Sequence, residues 1–242
     1  MSSDNLVLSD VAGGVATITL NRPDASNGMN VEFLKALCDA IMGLHGRPDV
    51  RVALIRGAGK NFCAGGDVHT FASKGEHMPD YLRVATAWLQ NAVTGLMRLE
   101  APVIAAVHGY ALGAGCSLAF GSDLVVAAES ARFGYPELRA GLTASTVTAH
   151  AVHVMGRKIA FELLMLCENI TPQRATTASR LSAFWMGPSW AAATVTIRGM
   201  LISLIRVDRD QEHGAAYPLL QWRSRVAIDC LALARLARYG GV

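Results

Sequence analysis

Glu137 follows Pro136 in a glycine-flanked turn, and roughly twenty residues earlier lies the small-residue loop Gly109 to Gly115. A strand that feeds such a loop into a helix leaves several backbone N–H groups unpaired and aimed at one spot, and the positive end of the helix dipole points there too. That spot attracts an anion, or a carbonyl oxygen that becomes an anion during reaction. One such oxyanion site and one carboxylate are the parts that enolate chemistry requires. A second stretch, Cys63 to Asp67, has the same small-residue character. If the strands before the two loops are neighbours, each loop can aim one N–H at the same oxygen. Read from spacing alone, the two are more readily ordinary tight βα loops.

The elements that must position these residues follow from periodicity. Leu6–Leu8 and Val15–Leu20 alternate around Gly13-Gly14, which predicts a hairpin. Asn30 can cap a helix from Val31 to about Leu44, with Phe33, Leu34, Leu37, Cys38 and Ile41 on one face. Arg51–Arg56 reads as a strand ending in the turn Gly57-Ala58-Gly59-Lys60-Asn61. Pro79–Glu100 reads as a long helix with Tyr81, Leu82, Trp88, Leu89, Val93 and Leu96 as its apolar stripe. The run Val103-Ile104-Ala105-Ala106-Val107, between Pro102 and Gly109, is too short for a helix and predicts a buried strand. Asp123–Ala128 is a further strand, and a short helix begins near Gly113-Ala114-Gly115. Alternating strands and helices place the chain in the α/β class with a mixed or parallel sheet.

Composition narrows the function classes. The chain of 242 residues is 52% apolar and only 17% charged, against an average of about a quarter charged. Such apolar content suggests burial against further subunits, so a homo-oligomer is expected. A formal charge of +3 with no Lys/Arg block argues against nucleic acid. The five cysteines show neither a C-x-x-C pair nor zinc-site spacing and read as reduced, cytosolic thiols. The polar start predicts no secretory signal. The most apolar stretch, Ala191–Val207, is broken by Arg198 and Arg206, so no membrane span is expected.

The segments ITLNRPDASNGMN, VRVALIRGAGKNFCAGGD and APVIAAVHGYALGAGCSLAFGSDLVVAAESARFGYPELRAGL, in this order over residues 15 to 142, resemble the crotonase superfamily, the enoyl-CoA hydratase/isomerase family. Weaker similarity continues over residues 155 to 175. The resemblance implies a ββα spiral followed by a C-terminal helical region that builds a trimer or hexamer. It divides the chain into a core over 1–190 and a helical region over 191–242. It also implies acyl-CoA thioester substrates, a place in fatty acid metabolism, and no metal or redox cofactor. Transferred by position, the oxyanion donors are the N–H groups of Gly66 and Ala114, with Gly65 and Gly113 beside them. CoA is expected near Ala64, Asp67 and Val68, and the acyl pocket near Pro136 and Leu142.

The resemblance also exposes departures. Hydratases of this family carry one glutamate in the helix after the GxG turn and a second in the FGxPE turn. Here Ser117 occupies the first position and Glu137 the second. A serine can hold water but is a poor base, whereas one carboxylate suffices for an isomerase that moves a proton from C2 to C4. Isomerase-like transfer is therefore favoured over hydration, with Glu137 as acid/base. A catalytically degenerate acyl-CoA-binding protein and a CoA-thioester hydrolase are the alternatives. The Thr143–Val147 loop supplies no further acid, and from about Thr176 the text departs from the family. His150 and His153, three apart on a helix, lack a nearby carboxylate and read as ordinary helix residues rather than metal ligands.

Overall fold

The computed structural model describes residues 6–178 and 183–186. The expected region 191–242, with Trp222 and Cys230, lies outside the described residues, as does Trp190 just before it. The first two strands, β1 (Val7–Ala12) and β2 (Val15–Leu20), form the hairpin around Gly13-Gly14. From β2 onward the strands run parallel: β3 (Val52–Gly57), β4 (Val103–Val107), β6 (Leu124–Ala128) and β8 (Ala183–Met186). The sheet order is β1-β2-β3-β4-β6-β8. A second, two-stranded parallel sheet pairs β5 (Tyr110–Leu112) with β7 (Arg132–Gly134). This is an α/β architecture. The β8 pairing shows the chain still adding to the sheet beyond Thr176, where the sequence suggested that the family pattern ends.

Helix α1 (Val31–Met42) starts where Asn30 accepts a hydrogen bond from the Phe33 N–H at 2.9 Å, and it ends two residues earlier than expected. Its buried line of Val31, Phe33, Leu34, Leu37, Cys38 and Ile41 faces α3 (Met78–Met97). The buried line of α3 corrects the expected stripe. Ala85, Leu89, Ala92, Gly95 and Leu96 are innermost, whereas Tyr81, Leu82, Trp88 and Val93 are half-buried. Small residues win this face because α1 approaches closely: a Cβ on Gly95 would stand 3.0 Å from Cγ2 of Ile41. Strands β4 and β6 are buried along their whole length, which is why they read as continuous apolar runs rather than alternating ones.

Two short helices begin at the ends of loops that follow strands: α2 (Val68–Ala72) after the loop that follows β3, and α4 (Ala114–Gly121) after β5. Helices α5 (Ser145–Met155), α6 (Arg157–Leu166) and α7 (Pro172–Ala178) complete the described chain. No described helix is long and apolar enough to cross a membrane.

Candidate active site

Because β3 and β4 are parallel neighbours, the loops that follow them emerge side by side. They are joined by backbone hydrogen bonds: Phe62 N–H to His108 O, Cys63 N–H to Tyr110 O, and Leu112 N–H to Cys63 O, each 2.9 Å. Glycine is required at this seam. Gly65 has φ +100°, and a Cβ on it would lie 3.0 Å from the Leu112 carbonyl and 3.8 Å from the Ala114 nitrogen. A Cβ on Gly115 would meet the Cys63 carbonyl at 2.4 Å.

Gly66 is oriented by Met29. The Met29 N–H donates to Gly65 O at 2.8 Å and the Asp67 N–H donates to Met29 O at 3.0 Å, forming a one-residue parallel bridge. In such a bridge the middle residue turns its own N–H to the opposite side. Among the described residues, neither the Gly66 N–H nor the Ala114 N–H donates a backbone hydrogen bond. Ala114 opens α4, where the first turn leaves its donors unmatched. Two N–H groups without a backbone acceptor among the described residues thus lie on abutting loops.

Both groups border a cavity of about 290 Å³ that also takes in Glu137 and Leu142. Its walls come from Met29, Leu34, Phe71, Leu89 and the segment Thr143–Val147. Among the described residues, Glu137 is the only carboxylate that lines the cavity. Its Oε2 is buried without a hydrogen-bond partner among the described residues. Burial pushes the Glu137 carboxyl above the usual carboxylate range, opposed in part by its own backbone N–H. On its other side lies Gly113, whose φ of +51° and missing side chain leave room for the carboxylate.

The remaining predicted site residues fall elsewhere. Ser117 does not line the cavity; it is buried, and its hydroxyl donates back to the Gly113 carbonyl at 3.3 Å. Ala64, Gly65, Asp67, Val68, Gly113 and Pro136 are also absent from the cavity wall. Asp67 turns inward. Its carboxylate accepts from Arg22 at 2.6 Å, from the Thr70 N–H at 3.0 Å and from the Thr70 hydroxyl at 2.7 Å. Burial alone would raise its pKa, but the Thr70 and Arg22 contacts outweigh burial and hold it below the usual range. Asp67 therefore caps α2 and anchors Arg22. Val68 next to it is exposed on the surface. His150 and His153 lie on α5, and no group of three His, Cys, Asp or Glu among the described residues could hold a metal ion.

Sequence reasoning missed Asn27. Fully buried at φ +56°, it spans the loop before α1 and the loop after β3. Its Nδ2 donates to the carbonyls of Ala58, Asn61 and Phe62 at 2.9, 2.9 and 3.0 Å, and its Oδ1 accepts from the Arg22 N–H at 2.8 Å. The one local signal was Asn-Gly outside a hairpin. Cys63 packs against the same segment, its thiol donating to the Asn27 carbonyl, and burial pushes it up to about 12. It stays a thiol and fills space.

Residues 10–179 match the family described as enoyl-CoA hydratase/isomerase, and the chain belongs to that family. It is 32% identical over 209 residues to a "probable enoyl-CoA hydratase" of Mycobacterium leprae, covering 84% of this chain and 79% of the relative. It is 34% identical over 171 residues to a 1,2-epoxyphenylacetyl-CoA isomerase of Escherichia coli, covering 70% of this chain and 65% of the relative. The crystal structure of an enoyl-CoA hydratase from Mycobacterium smegmatis superposes with a TM-score of 0.76 at 29% identity, covering 94% of this chain and 90% of that one. The fold is that of the crotonase superfamily.

Proposed function

We propose that the protein is an enzyme on acyl-CoA thioesters that shifts a double bond by moving one proton. The thioester carbonyl accepts hydrogen bonds from the Gly66 and Ala114 N–H groups. This withdraws charge from C2 and makes its proton acidic. The Glu137 carboxylate takes that proton, and the electron pair spreads over a dienolate held by the same two donors. Glu137 then returns the proton at C4, so a 3-enoyl thioester becomes the conjugated 2-enoyl thioester. No atom is gained or lost. Burial favours this role, because a carboxyl whose pKa is raised is a stronger base once ionised.

The observation that carries this reading is that, among the described residues, Glu137 is the only carboxylate on the cavity that also takes in the two N–H groups without a backbone acceptor. Hydration would need a second group to hold and polarise water, and the Ser117 hydroxyl does not line the cavity and donates to the Gly113 carbonyl. The names of the relatives support CoA thioesters as substrates and include both hydratases and isomerases. The CoA moiety would run past Ala64 and the exposed Val68, outside the cavity. The test offers purified protein a 3-enoyl-CoA and crotonyl-CoA separately and identifies the products. Conjugated 2-enoyl-CoA from the first, with crotonyl-CoA left unhydrated, is the expected result. 3-Hydroxyacyl-CoA from the second as the main product would make the protein a hydratase. Free CoA from both would make it a hydrolase. Acyl-CoA binding with no product from either would make it a binding protein.

A further inference from the structure

A second concavity, of about 430 Å³, lies between Thr19 on β2, Arg56 on β3, the Gly57 to Lys60 turn, and His108. Among the described residues it shares no lining residue with the cavity that holds Glu137. Among the described residues no carboxylate lines it. The Arg56 Nε donates to the Thr19 hydroxyl at 3.1 Å, which fixes the guanidinium across the neighbouring strand and leaves its outer N–H groups available. Among the described residues neither Arg56 nor Lys60 forms an ion pair.

The turn itself adds donors. The Ala58 N–H is used by the Leu20 carbonyl at 2.8 Å and the Phe62 N–H by the His108 carbonyl at 2.9 Å. Between them, the N–H groups of Gly59, Lys60 and Asn61 donate no backbone hydrogen bond among the described residues. Gly59 has φ +76°, and a His108 ring nitrogen 2.9 Å from its carbonyl braces the turn. Successive free N–H groups around a left-handed residue form a concave anion-binding nest. A guanidinium fork and an ammonium beside such a nest match the tetrahedral oxygens of phosphate. Proton transfer at Glu137 uses none of these groups.

We propose that this pocket binds a phosphate group carried by a small molecule. The phosphate has two available sources: a separate phosphorylated ligand, or the 3′-phosphate of a CoA thioester. The test titrates the full chain with inorganic phosphate at constant ionic strength, with chloride as the balancing anion, and follows the amide NMR signals of Gly59 and Lys60. Saturable shifts of these amides, weakened about tenfold or more in Arg56→Gln and in Lys60→Gln, are expected. Arg56 and Lys60 are exposed, so both variants should melt like the wild type. CoA and 3′-dephospho-CoA then separate the sources. Shifts with CoA but not with 3′-dephospho-CoA assign the phosphate to CoA. Shifts with inorganic phosphate alone assign it to a separate ligand. No saturable shift, the same shift with chloride, or phosphate affinity unchanged in both variants would overturn the proposal.

Discussion

A Cβ on Gly113 would stand 2.6 Å from Oε1 of Glu137 and 3.3 Å from its carboxyl carbon. The glycine that precedes the first turn of α4 thus decides where the carboxylate can sit. Gly113→Ala should displace Glu137, lowering kcat by about 10²-fold for a misplacement of this size. The φ of +51° adds a strain of roughly 1–3 kcal/mol. Kinetics and thermal melting of the variant check both effects; wild-type kcat would show that Glu137 works from elsewhere.

Ala114 occupies the first helical position, where proline is tolerated, but proline has no N–H. Ala114→Pro should therefore keep α4 and delete one of the two donors. Loss of one oxyanion donor costs about 10²–10³-fold in kcat. Far-UV circular dichroism establishes that the helix content is kept, so that a kinetic loss is assigned to the donor.

The raised pKa of Glu137 also makes a stability prediction. A carboxyl with a folded-state pKa above its unfolded value binds its proton more tightly when folded. Stability is then greatest below the unfolded pKa and falls as the pH rises through the folded one. Glu137→Gln, neutral at every pH, should melt above the wild type at pH 7 and lose that advantage in acid. The activity of the wild type should rise with pH through the same raised value.

Asp67 behaves in the opposite sense. With its folded pKa lowered, it contributes stability above the unfolded value of about 3.9 and loses it as the pH falls through the folded one. Asp67→Asn should cost about 2 kcal/mol at neutral pH, since it weakens charge-assisted bonds to Arg22 and Thr70. In strong acid the two proteins should converge. Urea unfolding at several pH values measures the difference.

Asn27→Ala should be more damaging. It leaves the carbonyls of Ala58, Asn61 and Phe62 and the Arg22 N–H without their shared partner, in a segment that carries Met29 to Gly66. A loss of about 3 kcal/mol or more is expected. Urea unfolding of this variant measures it.

The parts of this site that were legible in the sequence are local ones. The strand at Val103–Val107, the small residues before α4 and the Pro136-Glu137 turn each carry their own signal, and the free N–H of Ala114 follows from helix geometry. Asn27 was not legible because its three acceptors lie 31, 34 and 35 residues away. Asp67 was read only for its place beside CoA in the resemblance; the partner of its carboxylate, Arg22, was not legible because it lies 45 residues distant. Ser117 was placed on the right helix, but which way a hydroxyl turns is set by the packing around it. Thr143–Val147 was read only for the acid it lacks, whereas the structure uses it as a wall of the cavity.

The most direct test of the central claim compares wild type with Glu137→Gln on a 3-enoyl-CoA, following the rise in conjugated thioester absorbance. If Glu137 moves the proton, the wild type produces the rise and the variant is slower by about 10²–10⁴-fold while still binding the substrate. A variant that isomerises at the wild-type rate would contradict the account and remove Glu137 from the chemistry.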